Sequence, residues 1–133
     1  MATSVVGDFP AAPGRVKNAG LWLLQAASAA MFVMAGVAKL TGAESMVYVF
    51  AAVGLGQWLR YFTGVLEVAG AVALLVPAFA GVGALWLTAV TVGAVIAHLT
   101  VLGGNPAVPV ALLVAMAIVA WGRRERTARL FSR

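Results

Sequence analysis

Long apolar stretches, separated by short polar or glycine-containing breaks, dominate the chain. Four of them cover residues 21–40, 58–77, 82–102 and 107–121. A helix of about 20 residues rises about 30 Å, which is the thickness of the hydrocarbon core of a bilayer. A fifth apolar stretch, residues 45–53, is too short to cross, and glycines at positions 54 and 56 follow it. The pattern predicts an all-α integral membrane protein, a four-transmembrane-helix bundle with a short extra interfacial or re-entrant helix between the first and second spans.

The composition agrees with a membrane protein and excludes several kinds of redox site. Of the 133 residues, 63% are hydrophobic and only 10% are charged, and the mean hydropathy is +1.02. The absence of cysteine excludes disulfides, cysteine-ligated iron–sulfur clusters and thiolate metal sites. Because His98 is the single histidine, one protomer has no bis-histidine haem either. We therefore predict no metal site and no covalently bound cofactor.

The net charge of +5 comes from basic residues that flank the apolar stretches. These are Arg15 and Lys17 before the first span and Arg123, Arg124, Arg126, Arg129 and Arg133 after the last. Positive residues beside spans mark the cytoplasmic side, and four spans place both termini on one side of the membrane. The distribution predicts a flexible cytoplasmic arm over 1–19, a membrane domain over 20–122 and a basic cytoplasmic tail over 123–133. It argues against nucleic-acid binding.

Polar residues within the spans recur at helical spacing, so each span carries them on one face. The three faces are Gln25, Ser28, Phe32, Ala35 and Lys39 on the first span, Arg60, Gly64, Glu67 and Ala71 on the second, and Thr88, Thr91, Val95 and His98 on the third. With the predicted topology, Lys39, Arg60, Glu67 and His98 all lie toward the outer leaflet. We expect the three faces to meet in a common interior.

Each polar residue has a structural interpretation beside the functional one. Lys39 at the end of its span could snorkel to the headgroups, and His98 could bond to a backbone carbonyl. Thr88 and Thr91 could bond to their own helix. Glu67 lies too deep to snorkel easily, and it has two candidate partners, Lys39 and Arg60. Such a pair could lock two helices in register or form a ligand pocket or proton-coupled site.

Four segments follow one another along the chain: "FVMAGVAKL" at 32–40, "AAVGLGQWLR" at 51–60, "GVLEVAGAVALLVP" at 64–77 and "AVIAHLTVLGGNPAVPVALL" at 94–113. Taken in this order, they resemble the DoxX-like family of small four-helix bacterial membrane proteins. The resemblance covers roughly residues 20–122, implies a four-span bundle and points to Gly36, Lys39, Glu67, Gly70 and His98. It also implies a link to thiosulfate:quinone oxidoreductase and membrane redox complexes. Many members carry a basic residue in the turn after the second span, and "PAFAGVGAL" here has none.

Together these features predict a bacterial inner-membrane protein whose outer-leaflet pocket holds a hydrophobic ligand with a polar head, a quinone being the best fit. The predicted catalytic residues are Glu67 and His98, and the predicted ligand-binding residues are Lys39, Arg60, Gln25, Thr88, Thr91 and Asn105. The protein would act as the membrane subunit of a quinone-linked oxidoreductase system, with a redox partner protein and as a homo-oligomer or complex subunit. The alternatives are a homo-oligomeric proton-coupled transporter and an assembly subunit without chemistry. Asn105 is also a candidate helix cap, with Pro106 at the first helical position.

Overall fold

A computed structural model describes the backbone of residues 11–131 and the side chains from residue 14, and this part of the chain consists of helices without strands. The α-helices are α1 (Ala11–Leu40), α2 (Glu44–Val53), α3 (Trp58–Leu75), α4 (Ala80–Ala97), α5 (Ala107–Gly122) and α6 (Arg124–Phe131). A 3₁₀ turn (Pro77–Phe79) precedes α4, and a π-helical segment (His98–Leu102) continues it. The predicted all-α membrane class is therefore confirmed.

Within residues 11–131, three helical segments are long and apolar enough to cross a membrane. They are Gly14–Leu40, Trp58–Leu75 and Pro77–Leu102. Helices α5 and α6 meet at an angle of 61° and make a fourth span if the bent pair counts as one. The short helix expected between the first two spans is α2. Three spans follow from length and composition, whereas the predicted fourth depends on how this bent pair lies in the membrane.

The first helix begins well before the predicted span. Sequence analysis assigned residues 1–19 to a flexible arm, but α1 starts at Ala11, and residues 1–10 lie outside the described part of the chain. Pro13 is compatible with this start because the first helical turn needs no N–H donor from that position. Asn18, two turns further along α1, accepts a hydrogen bond from Arg123, which ties this part of α1 to the other end of the chain.

The helices pack in the order α1, α3, α4, α5, and α5 returns to touch α1. The core between them is made of buried apolar side chains from all four helices: Leu21, Ala29, Phe32, Ala71, Leu74, Ala84, Leu87, Met116 and Val119. Large apolar side chains such as Leu23, Met34 and Ile118 point outward, where lipid would cover them. The predicted polar faces of α1 and α3 are their inward faces, since Gln25, Ser28, Arg60 and Glu67 are all buried.

Glycines allow α1 and α3 to approach closely. A methyl group added at Gly36 would lie 2.7 Å from Cγ2 of Val68 and 2.9 Å from the carbonyl oxygen of Gly64. One added at Gly64 would lie 3.1 Å from Cβ of Lys39. Small residues that face each other are the usual way in which membrane helices bring their backbones together. This contact fixes the register of the two helices beside Lys39.

Helix α2 is held against the start of α3 and the end of α4. It ends at Gly54, whose φ of 81° is the left-handed conformation that glycine adopts readily. The side-chain amide of Gln57 donates to the carbonyl oxygen of Val47 over 3.1 Å, and α2 also contacts the π-helical segment. The short helix therefore covers the end of the bundle where Lys39 and Arg60 lie.

Candidate functional site

An ion pair between Lys39 and Glu67 joins α1 to α3. The Nζ of Lys39 lies 2.7 Å from Oε1 of Glu67, and the two side chains are only 14% and 8% exposed. Their surroundings are the small and apolar residues of two membrane helices, including Gly36, Gly64 and Val68. Charges in such a place are costly to bury, so each residue depends on the other.

The direction of the helices explains why these two side chains meet. Side chains on a helix tilt toward its N-terminus, and α1 and α3 run antiparallel, as the contacts of Gly36 with Gly64 and of Gln25 with Leu74 require. Lys39 therefore points back along α1 toward the middle of the bundle, and Glu67 points toward the end where Lys39 lies. The structure shows this pairing in place of the alternative in which Lys39 snorkels outward.

Arg60, the other candidate partner of Glu67, has different acceptors. Its Nε donates to Oε1 of Gln57 over 2.7 Å, and its Nη1 donates to the backbone carbonyl of Lys39. The guanidinium also lies 4.2 Å from the centre of the Tyr61 ring. Arg60 thus caps the last turn of α1, where a helix presents carbonyl oxygens without partners and favours a positive charge.

The polar residues predicted on the third span bond to their own helix. Thr88 donates to the carbonyl of Ala84 over 2.7 Å, and Thr91 donates to that of Leu87 over 2.9 Å. The Nδ1 of His98 lies 2.9 Å from the carbonyl oxygen of Ala94. A carbonyl accepts, so Nδ1 carries the proton in neutral His98 and Nε2 is left as an acceptor. Thr88, Thr91 and His98 therefore make the bonds to their own helix that the structural interpretation expects. Nε2 of His98 is not used in these bonds and can still accept a hydrogen bond.

The other two predicted ligand-binding residues, Gln25 and Asn105, have hydrogen-bond partners of their own. Gln25 is 14 residues before Lys39 on α1, which is roughly 21 Å along a helix. Gln25 is fully buried and donates to the carbonyl of Leu74 over 2.7 Å. Asn105 accepts a hydrogen bond from the N–H of Ala107 over 3.0 Å, but Pro106 occupies the capping position of α5, which begins one residue later than predicted. The structure brings Lys39, Arg60 and Glu67 together, and it separates Gln25 from them.

A second buried polar cluster, at the other end of the bundle, was missed by sequence analysis. The Nε of Arg123 donates to Oε1 of Gln25 and its Nη1 donates to Oδ1 of Asn18, each over 2.8 Å. Arg123 is only 5% exposed, although its position directly after the last apolar stretch suggested a solvated tail. The one signal for it in the sequence is Gln25 itself, a buried amide that needs a partner.

The two clusters differ in what they can do chemically. The Lys39–Glu67 pair combines a donor with a group that can exchange a proton, and both are shielded from water. The cluster of Arg123, Gln25 and Asn18 combines a cation with neutral amides, which suits fixed structure or the binding of an anion. Among the described residues, no group of three or more acidic or histidine side chains is placed to hold a metal ion.

Comparison with known proteins identifies the family. The model of the DoxX-like family matches residues 23–121, which is well over half of the chain and includes Lys39, Arg60, Glu67 and His98. No curated protein and no solved structure matches. The match includes α1 from residue 23 onward, α2, α3, α4 and nearly all of α5. The chain belongs to the DoxX-like family.

Proposed function

We propose that this protein is the membrane subunit of a quinone-linked oxidoreductase system and that the Lys39–Glu67 pair receives the polar head of the quinone. The observation that carries the proposal is the burial of this pair between two membrane helices. An acid inside a membrane span usually pairs, exchanges protons or does both. A quinone reaches such a site from the lipid and takes up protons when it is reduced.

The ion pair leaves capacity for a ligand. A lysine ammonium has three donors, and the contact with Oε1 of Glu67 occupies one direction. Lys39 would donate a hydrogen bond to a quinone carbonyl, and Glu67, a carboxylate in the ion pair, would first take up a proton and then pass it to the same oxygen. His98 Nε2 would accept a hydrogen bond from the reduced ligand, or would take up a second proton and then pass it on. Reduction of a quinone takes two electrons and two protons. The electrons would come from a redox partner protein, because the chain has no cysteine and its described residues form no metal site.

The proposal places the protein in the bacterial inner membrane with four spans and both termini in the cytoplasm. Support comes from the basic residues at both ends, Arg15 and Lys17 on α1 and the arginines of α6. Lys39 and Glu67 would then lie in the outer half of the membrane. The large apolar side chains on the outside of the bundle can contact lipid, a second copy of the chain or a partner subunit.

An assembly subunit without chemistry is the second candidate. The observation that favours it is that Thr88, Thr91 and His98 bond to their own helix and that Lys39 pairs with Glu67. Proton-coupled transport of a cation is disfavoured, because the ammonium of Lys39 occupies the place that a cation would take beside Glu67.

The test is mass spectrometry of small molecules that co-purify with the gently solubilised protein. The parent chain is compared with Glu67→Gln and with the matched control Glu44→Gln, which makes the same change at an exposed residue at the start of α2. We expect a quinone with the parent and the control, and its loss from Glu67→Gln.

A titration with a soluble quinone analogue completes this test. A bound quinone raises the midpoint of thermal unfolding, because a ligand of the native state stabilises it. We expect a rise for the parent and for Glu44→Gln. If the parent contains no quinone and a saturating analogue leaves its midpoint unchanged, the quinone proposal is wrong and the assembly role stands.

A further inference from the structure

A small polar pocket lies between the N-terminal turns of α1 and the last helix, α6, far from the Lys39–Glu67 pair. Its volume is about 200 Å³. The charged and polar side chains around it are Lys17, Asn18, Arg123, Glu125, Arg126 and Arg129. A pocket of this size is below the usual range of about 300–1,000 Å³ for drug-sized ligands, so it suits a small ion or the polar head of a larger molecule.

The charge of the pocket is strongly positive. Four of its side chains are basic and one, Glu125, is acidic, which leaves an excess of three positive charges. A cleft lined by one sign of charge concentrates ions of the other sign, and low-dielectric walls strengthen the effect. The pocket therefore favours an anion over a cation or a neutral molecule.

Arg123 makes this a built site and not a loose surface cluster. The Arg123 side chain is only 5% exposed, and hydrogen bonds to Gln25 and Asn18 hold it in place. Both acceptors are neutral amide oxygens, so they fix the guanidinium without neutralising its charge. Its third nitrogen, Nη2, is buried and has no hydrogen-bond partner among the described residues. A buried cationic donor without a partner is unfavourable, and an anion in the adjoining pocket would relieve it.

Two tryptophans indicate where the pocket lies relative to the membrane. The Arg123 guanidinium is 5.6 Å from the centre of the Trp22 ring, and that of Arg124 is 4.2 Å from the centre of the Trp121 ring. Tryptophan is enriched at the level of the lipid headgroups. The pocket is thus at a depth where the phosphate of a lipid or a dissolved phosphate compound can reach it.

We propose that the pocket between α1 and α6 binds a phosphate group, which Arg123, Arg126 and Lys17 contact. Arginine presents a rigid fork of donors that matches phosphate oxygens, and lysine adds a point charge. The phosphate can belong to an anionic phospholipid or to a soluble phosphate compound, and the chemistry of recognition is the same for both. The site is independent of the proposed quinone site, because different residues at the opposite end of the bundle form it.

The test measures binding to the purified full chain in neutral detergent. Phosphatidylglycerol, phosphatidylcholine and inorganic phosphate are titrated separately, with native mass spectrometry to count bound lipid and calorimetry for phosphate. The pocket variant is the double substitution Lys17→Gln and Arg126→Gln. The matched control is Arg15→Gln with Arg124→Gln, which removes the same two charges from α1 and α6 outside the pocket. Both variants leave the buried Arg123 in place.

We expect phosphatidylglycerol to bind the parent and the control with similar affinity and the pocket variant at least about tenfold more weakly. Glu125→Gln should bind more tightly than the parent, because it removes the carboxylate from the pocket. Binding of phosphatidylglycerol without inorganic phosphate identifies a lipid site, and binding of both identifies a general phosphate site. The proposal is wrong if the pocket variant and the control lose the same affinity for phosphatidylglycerol. It is also wrong if the parent binds phosphatidylglycerol no better than phosphatidylcholine and does not bind inorganic phosphate.

Discussion

At the scale of single residues, the partners of Lys39 matter most. Its ammonium pairs with Glu67, while its backbone carbonyl accepts from Arg60. One residue thus joins the end of α1 to α3 in two ways. A buried ion pair adds little net stability over a well-packed apolar pair, but removal of one member leaves an uncompensated charge.

We predict that Glu67→Gln destabilises the protein through the unpaired ammonium of Lys39. The loss for a buried pair is about 3–5 kcal/mol, and the low end applies here because Lys39 keeps 14% of its side chain exposed. The measurement is thermal unfolding in detergent. Lys39→Met combined with Glu67→Gln should recover most of the loss, and Glu44→Gln should have little effect. A double variant as unstable as Glu67→Gln would show that the pair is not the cause.

At the scale of helices, the contact of α1 with α3 depends on two glycines. Gly36 and Gly64 face each other with no room for another atom, and both lie three residues before a member of the ion pair. Close approach of the backbones and pairing of the charges therefore require the same register. The helices hold Lys39 and Glu67 in position through backbone contact and not only through attraction between the charges.

We predict that Gly36→Ala destabilises the protein by about 1–3 kcal/mol, because the new methyl group meets Val68 and the backbone of Gly64. Gly93→Ala is the matched control. It is also within a helix, but a methyl group there has no neighbour within 4 Å. Unfolding midpoints of the two variants in the same detergent provide the comparison. Equal unfolding midpoints for Gly36→Ala and Gly93→Ala would show that the close contact of α1 with α3 does not contribute to stability.

At the scale of the whole molecule, the bent α5–α6 pair decides the topology. If the pair makes a fourth span, α2 and α6 lie on opposite sides of the membrane. The hydrogen bond from Arg123 to Asn18 keeps α6 beside the first part of α1, at the opposite end of the bundle from α2. The chain has no cysteine, so single introduced thiols report the side without interference.

We predict that Ser45→Cys on α2 reacts with an impermeant maleimide in intact bacterial cells and that Ala128→Cys on α6 reacts only after the membrane is opened. Both residues are exposed in the structure, so their access depends on the membrane. Labelling of both in intact cells would contradict the four-span topology. Labelling of Ala128→Cys alone would show that the protein has the opposite orientation in the membrane.

The sequence was sufficient for features that depend on local periodicity. The helical spacing on α1 and α3 correctly placed Gln25, Arg60 and Glu67 on buried faces, because lipid on the other face forces apolar residues there. It did not decide between Lys39 and Arg60 as the partner of Glu67, since both lie within reach and the choice depends on where Gln57 and the end of α1 lie.

Contacts between distant parts of the chain could not be predicted. Arg123 follows an apolar stretch and precedes other arginines, so its local pattern is that of a solvated tail. Its burial depends on Gln25 and Asn18, which are 98 and 105 positions away. The ligand roles predicted for Gln25, Thr88, Thr91 and Asn105 stay predictions, although each of these residues has a local or structural partner.

The link from Arg123 to the first helix has a consequence for how the protein is made. A ribosome delivers α1 to the membrane long before residue 123 has been synthesised. During that interval Gln25 has neither Leu74 nor Arg123 beside it, although it lies within an apolar span. Insertion of α1 therefore precedes its final packing, and the bundle closes only after the last helix emerges. Early termination before Arg123 would leave an inserted but incompletely assembled chain, the kind of substrate that membrane quality-control proteases remove.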